Sequence, residues 1–144
     1  MDNSKFSFRH LLRVRYSEVD AQGMVFNAKH VVYFQTALQE YFREFQYDYA
    51  AQSSGSDFHT VKIVVEFKAP IHFDQEIEIH VRAARIGRSS IRYEMVSCPK
   101  GGDQPLSSGE IVWVNVDRAT QKSAPLPQEL VAEFRAREGG NLEE

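Results

Sequence analysis

Two carboxylates, Glu18 and Asp20, sit in the polar stretch Ser17 to Asn27, just ahead of the longest apolar-periodic segment of the chain. A carboxylate placed there can take a proton from water as a general base, or attack a carbonyl itself as a nucleophile. An Asp shortly before Gly23 equally suits the capping of a turn, and Glu18 equally suits a solvated loop charge. The five histidines, His10, His30, His59, His72 and His80, are scattered and form neither an HExxH pattern nor a Cys/His cluster, so the sequence supports no zinc site. No G-x-S-x-G elbow occurs, and Ser53, Ser54 and Ser56 have no recognisable partner histidine. Cys98, before Pro99 at a strand end, reads as a passive residue. Glycine-rich nucleotide loops are absent. Chemistry in this chain therefore falls to carboxylates, backbone donors and bound water, with no metal or cofactor expected.

The elements that would position these groups are legible from periodicity. Leu12, Val14 and Tyr16 alternate in a first strand over Phe6 to Tyr16. After the loop, Asn27 is a candidate N-cap. Val31, Phe34, Leu38, Tyr41, Phe42 and Phe45 recur at helical spacing and predict one long helix from Ala28 to about Gln46. Its wide apolar face predicts protein on most sides. Phe26, Tyr33 and Phe34 could line a pocket, although that spacing equally suits core. Ser53 to Asp57 reads as a turn. Strands follow at Val61 to Phe67, Ile77 to Val81, Ile91 to Met95 and Leu106 to Asp117. Turns fall at Gly87 and at Pro99 to Pro105. The apolar run Ile111 to Val114 predicts a strand buried on both faces. A short helix over Leu126 to Arg137 and a frayed tail close the chain. With no helices between the later strands, the sheet should be mainly antiparallel and the class α+β.

The bulk numbers agree with one domain over residues 1–144, its tail from about 138. The 144 residues are 42% hydrophobic, 26% charged and 12% aromatic, an ordinary globular balance. A net charge of −3 and a pI of about 6.0 argue against a nucleic-acid partner. A single cysteine rules out an intrachain disulfide and fits a reducing compartment. Neither a signal peptide nor an apolar run long enough to span a membrane is visible. A cytoplasmic protein is the expectation.

One ordered set of motifs goes further. The stretch Val14 to Phe34 holds an aromatic at a strand end, Tyr16, then D-x-x-G-x-V as Asp20, Gly23 and Val25, then the helix. It closely resembles the entry to the 4-hydroxybenzoyl-CoA thioesterase family. Val64 to Val81, Gly87 to Met95 and Trp113 to Pro127 resemble that family's later strands and tail, so the likeness covers about residues 8 to 137. It is strongest with the acyl-CoA thioesterase branch associated with the Tol-Pal envelope system. The resemblance implies a hotdog fold, an antiparallel sheet of about five strands wrapped around one long central helix. It implies hydrolysis of an acyl-CoA thioester, with Asp20 as base or nucleophile and the backbone N–H of Asn27 as the oxyanion donor. Tyr16 would orient Asp20 or the acyl group, and Gly23 would shape the site. The family's phosphate-binding turn falls on Arg85, Arg88, Ser89 and Ser90, whose guanidinium and hydroxyl groups suit phosphate oxygens. Lys68 and His30 are further substrate-binding candidates. Coenzyme A would enter only as part of the substrate. The family implies a homodimer, usually doubled to a homotetramer, with sites at the dimer interface.

The chain departs from the branch at Asn27, where His is usual, and near His30, where Tyr is usual. Asn27 keeps its backbone N–H but cannot act as an acid or base. Two other readings therefore stand beside the first: a thioesterase acting on acyl carrier protein, and a non-catalytic acyl-thioester binder or envelope-associated interaction protein.

Overall fold

The computed structural model describes residues 4–45 and 56–143. In chain order the elements are β1 (Phe8–Arg13), α1 (Asn27–Arg43), β2 (Ser56–Phe67), β3 (Glu76–Ile86), β4 (Ser90–Pro99), β5 (Ser107–Asp117) and α2 (Gln128–Glu138). The five strands form one sheet in the order β1-β3-β4-β5-β2, and every neighbouring pair is antiparallel. The sheet curls around α1, which is the hotdog arrangement.

Helix α1 buries His30, Tyr33, Phe34, Ala37, Leu38, Tyr41 and Phe42. Steps of three and four place these on one stripe, while Val32, on the other side, is 45% exposed. The helix is thus covered on one side in this chain, not on most sides as its composition suggested. It has 17 residues and stops at Arg43, shorter than expected; the expected end at Gln46 lies outside the described residues.

Close approach of helix and sheet depends on Gly109. A Cβ there would lie 2.0 Å from the Val64 carbonyl oxygen and 3.0 Å from the Phe34 ring. At the far end, Phe42 stacks on Trp113 at 5.3 Å, and Phe134 of α2 meets Phe42 edge-on at 5.7 Å. These aromatic contacts close the core beneath α2.

Strand β2 changes phase within its length. Thr60 pairs with Trp113 and Lys62 with Val112, so Val61 is an extra residue, a bulge. Before it Phe58 faces the core; after it Val65 does. The expected alternation from Val61 starts on the bulged residue itself, which is why Val61 is 60% exposed. Ser56 and Asp57, read as part of a turn, open this strand; Ser53 to Gly55 lie outside the described residues.

The strand buried on both faces is β3, not β5. Glu78, His80 and Arg82 are buried on its outer side, whereas Val112, Trp113 and Val114 are half-buried. Phe6 covers His80, with ring centres 5.9 Å apart, and Arg82 donates to the Asn141 carbonyl at 2.7 Å and to Glu94 at 2.6 Å. The segment after α2, expected to fray, forms the turn Gly139–Asn141 and returns to the sheet, where the Glu143 N–H donates to Ala84 O at 2.7 Å.

Candidate active site

Strand β1 ends short of Tyr16, which opens a 3-10 turn over Tyr16–Glu18. Residues 19–25 then fold back on themselves. Val19 bridges Val25, the Asp20 N–H donates to Met24 O at 2.8 Å, and the Gly23 N–H donates to Asp20 O at 3.0 Å. Gly23 has φ +77° with nothing within 4 Å of a would-be Cβ, so the backbone angle, and not crowding, calls for glycine. The loop is clamped to residues 71–73 by N–H to O bonds from Val25 to Ile71 and from Phe73 to Gly23, 2.7 and 2.9 Å long.

This clamped loop presents Asp20. Its Oδ1 accepts the backbone N–H groups of Gln22 at 2.9 Å and Met24 at 3.2 Å. The turn-capping geometry is therefore real, and it fixes the carboxylate while leaving the residue exposed and Oδ2 without a partner among the described residues. Tyr16, 80% exposed, meets Phe73 edge-on at 5.7 Å. Tyr16, Val19, Asp20, Ala21, Gly23 and Phe73 wall a cleft of about 370 Å³. Tyr16, Asp20 and Gly23 are thus brought together.

Asn27 follows directly, but in a different role from the expected N-cap. The N-cap is Phe26, which has extended backbone angles and no capping side chain, and Asn27 is the first helical residue. The Phe26 side chain has no oxygen to cap the helix, and its backbone carbonyl takes the Lys29 N–H at 2.8 Å; the Asn27 N–H has no partner among the described residues. The positive end of the α1 dipole adds to this donor. Such an end attracts a developing oxyanion.

His30 lies one turn further and faces the sheet. It is buried, its Nδ1 is 3.0 Å from Ser107 Oγ, and its ring meets Phe67 edge-on at 4.9 Å. Ser107 Oγ in turn lies 2.6 Å from Ser97 Oγ. Burial lowers the His30 pKa below the usual histidine value, so the ring is neutral near pH 7. It is not among the residues that wall the Asp20 cleft.

The phosphate candidates are elsewhere. Arg88 and Ser89 lie in the β3–β4 turn and Ser90 opens β4, held by backbone bonds from Gly87 N–H to Ser90 O, from Asn115 N–H to Ser89 O and from Leu126 N–H to Arg88 O, all 2.8 to 2.9 Å. The Asp20 loop packs near the start of β3, and the turn follows its end. The strand's 11 residues span roughly 33 Å, so one protomer does not join the two groups. Lys68 is at the cleft end of the sheet but pairs with Glu66 at 2.9 Å.

Glu18 is buried beside the loop, only 6% exposed. Its Oε1 accepts the Arg15 N–H at 2.8 Å and the Tyr33 hydroxyl at 2.9 Å; its Oε2 accepts Arg15 Nε at 3.2 Å and Nη2 at 3.0 Å. Burial pushes its pKa up, but the Arg15 N–H, the Tyr33 hydroxyl and the Arg15 charge together outweigh that and hold it below the usual range.

Among known proteins, the model of the thioesterase-like superfamily matches residues 14–134. The chain belongs to the thioesterase-like superfamily. It is 29% identical over 129 residues to the Escherichia coli acyl-CoA thioester hydrolase YbgC, covering 89% of this chain and 96% of that one. A Thermus thermophilus thioesterase solved with coenzyme A and Zn is 29% identical, with a TM-score of 0.81 and coverage of 94% and 97%. The Pseudomonas aeruginosa protein PA5185 superposes with a TM-score of 0.83 at 27% identity, with 96% of each chain covered.

In this thioesterase-like chain the residue that sequence reasoning undervalues is Glu18. An acid in a polar loop reads as solvated. The local signal was Arg15, three residues earlier and able to pair with it; the distant partner, Tyr33, could be recognised only once the helix was docked. Among the described residues no three His, Cys, Asp or Glu side chains converge as metal ligands would. No helix among them is long and apolar enough to cross a membrane.

Proposed function

We propose that the chain hydrolyses an acyl-CoA thioester to the free acid and coenzyme A. Water adds to the carbonyl as the Asp20 carboxylate takes its proton; the C–S bond then breaks with its electron pair going to sulfur, and the leaving thiolate takes that proton from Asp20 to depart as the thiol. In a variant of this scheme Asp20 attacks the carbonyl itself and water resolves the anhydride. The Asn27 N–H at the head of α1 polarises the carbonyl. The observation that carries the reading is an exposed Asp20, fixed by two backbone N–H groups, in a clamped loop that leads into an uncapped helix. The family match and the named relatives support the chemistry.

The separation of Arg88, Ser89 and Ser90 from Asp20 favours a homodimer in which one protomer holds the phosphates and the other the thioester. Edge strand β2, 12 residues long with Val61 and Ile63 exposed, suits pairing with a second copy. Tyr16 would flank the acyl group, Lys68 would offer a charge near the cleft, and His30 would support the helix from beneath.

The test is thiol release from a panel of acyl-CoAs, with wild type beside Asp20→Asn. Turnover by wild type and a loss of about a hundredfold in kcat for the variant, the scale of a general base, is expected. Equal activity in the variant removes Asp20 from the mechanism. No turnover of any acyl-CoA overturns the reading.

A further inference from the structure

Glu18 is a buried acid that the proposed chemistry does not use. An ionised carboxylate has about four lone-pair sites. Arg15 and Tyr33 supply four donors to this one, two on each oxygen. It therefore has no acceptor site left for a substrate water, unlike Asp20, whose Oδ2 is open. What it touches is informative. Arg15 precedes the 3-10 turn, and Tyr33 stands in the second turn of α1. The Glu18 carbonyl accepts the N–H of Phe26, the N-cap of α1, at 3.0 Å. Val19, the next residue, bridges Val25 and so begins the fold-back that presents Asp20. One residue thus joins the exit of β1, the base of the Asp20 loop and two points on the helix.

We propose that Glu18 is a positioning residue, which together with Tyr33 holds the Asp20 loop and the first amides of α1 in one fixed relation. This rests on the reading above for its catalytic consequence, though not for its structural one. A carboxylate set by a loop and a donor set by a helix act on the same carbonyl only when loop and helix do not drift apart, and small misplacements of reacting groups are costly. Charge-assisted hydrogen bonds in a buried site suit that task because they are short and directional. Tyr33 is itself well placed, 3% exposed with its hydroxyl committed to Glu18.

Two variants test the clasp. Tyr33→Phe keeps the ring in the core and removes one bond; Glu18→Gln keeps the shape and removes the charge. The first readout is amide hydrogen exchange at Asp20, Gly23, Val25 and Phe26, whose N–H groups are all bonded within the loop or to its neighbours. In both variants these amides are expected to exchange at least about tenfold faster, with those of β4 and β5 unchanged. The second readout is steady-state thiol release. The expected result is a fall in kcat of about three- to thirtyfold, KM within about twofold of wild type, and an acid limb of the kcat pH profile at the wild-type position, because Glu18 takes no proton in the reaction. Loop exchange at wild-type rates in both variants overturns the proposal. So does loss of protection throughout the sheet in Tyr33→Phe, which would make the pair a general support of the fold. Disappearance of the acid limb in Glu18→Gln also overturns it, since Glu18 would then be the base. A wild type that releases no thiol sinks the thioesterase reading alone, and the exchange rates still decide the clasp.

Discussion

His30 Nδ1 lies 3.0 Å from the Ser107 hydroxyl, buried between α1 and the sheet. The groups that face the ring are Ser107, Tyr33 and Phe67, none of them charged near pH 7. Burial holds the His30 pKa below its ordinary 6.5. Between the folded value and about 6.5 the unfolded chain binds more protons, so stability is full above that range and falls as pH drops through it. His80 acts in the same direction, lowered chiefly by burial and partly offset by Glu78. Thermal melts from pH 7.5 to pH 5 should show a falling Tm. His30→Gln should reduce the slope, by at most about 1.4 kcal/mol per pH unit. An unchanged slope in that variant would place the pH dependence elsewhere.

Asn27 separates side chain from backbone. As the first helical residue it occupies a position where proline is tolerated. Asn27→Ala keeps the backbone N–H, and kcat for thiol release should stay within about threefold of wild type. Asn27→Pro removes the N–H while leaving the helix intact, and kcat should fall about 10²- to 10³-fold, as when one oxyanion donor is lost. Circular dichroism checks that the helix persists. Equal rates in the two variants would exclude the amide as the donor.

Gly109 and Gly23 should respond differently to alanine. At Gly109 the new methyl group meets the Val64 carbonyl and the Phe34 ring. Urea unfolding of Gly109→Ala should show a loss of about 1–3 kcal/mol, the usual range for overpacking. At Gly23 there is open space but φ is +77°, so the cost there should be nearer 1 kcal/mol. That cost should come with reduced thiol release, because the loop carries Asp20.

Phe134→Ala tests the far end of the core. The ring is fully buried against Phe42, Phe45 and Tyr93. Its loss should cost about 3–5 kcal/mol, read from denaturant midpoints. Thiol release below the new transition should remain near wild type, since the Asp20 cleft is at the other end of the sheet.

The order of elements was legible because each strand alternates or runs apolar and α1 carries its stripe at steps of three and four. The loop from Tyr16 to Gly23 was legible as a motif, and the structure brings its members into one cleft. Three things were hidden for physical reasons. The bulge at Val61 leaves apolar residues at Ile63, Val65 and Phe67 in unbroken alternation, so no sequence signal marks the phase change. Burial of Glu78, His80 and Arg82 depends on the N-terminal segment and the tail lying over β3, which a pattern within the strand cannot reveal. The helix start slipped by one residue because Asn27 is a far better cap by type than Phe26, and tertiary packing overrode that preference.

The choice of Phe26 carries a cost of its own. A Ser or Asp in its place would accept the first amides of α1 and add about 1 kcal/mol to the helix. Selection for folding alone would favour that change. The chain instead carries an aromatic that is 56% exposed at the N-cap, and the helix end stays electrostatically unfinished. Phe26→Asp should accordingly give a protein that melts later and works worse, a trade in which robustness is surrendered to keep a binding end available.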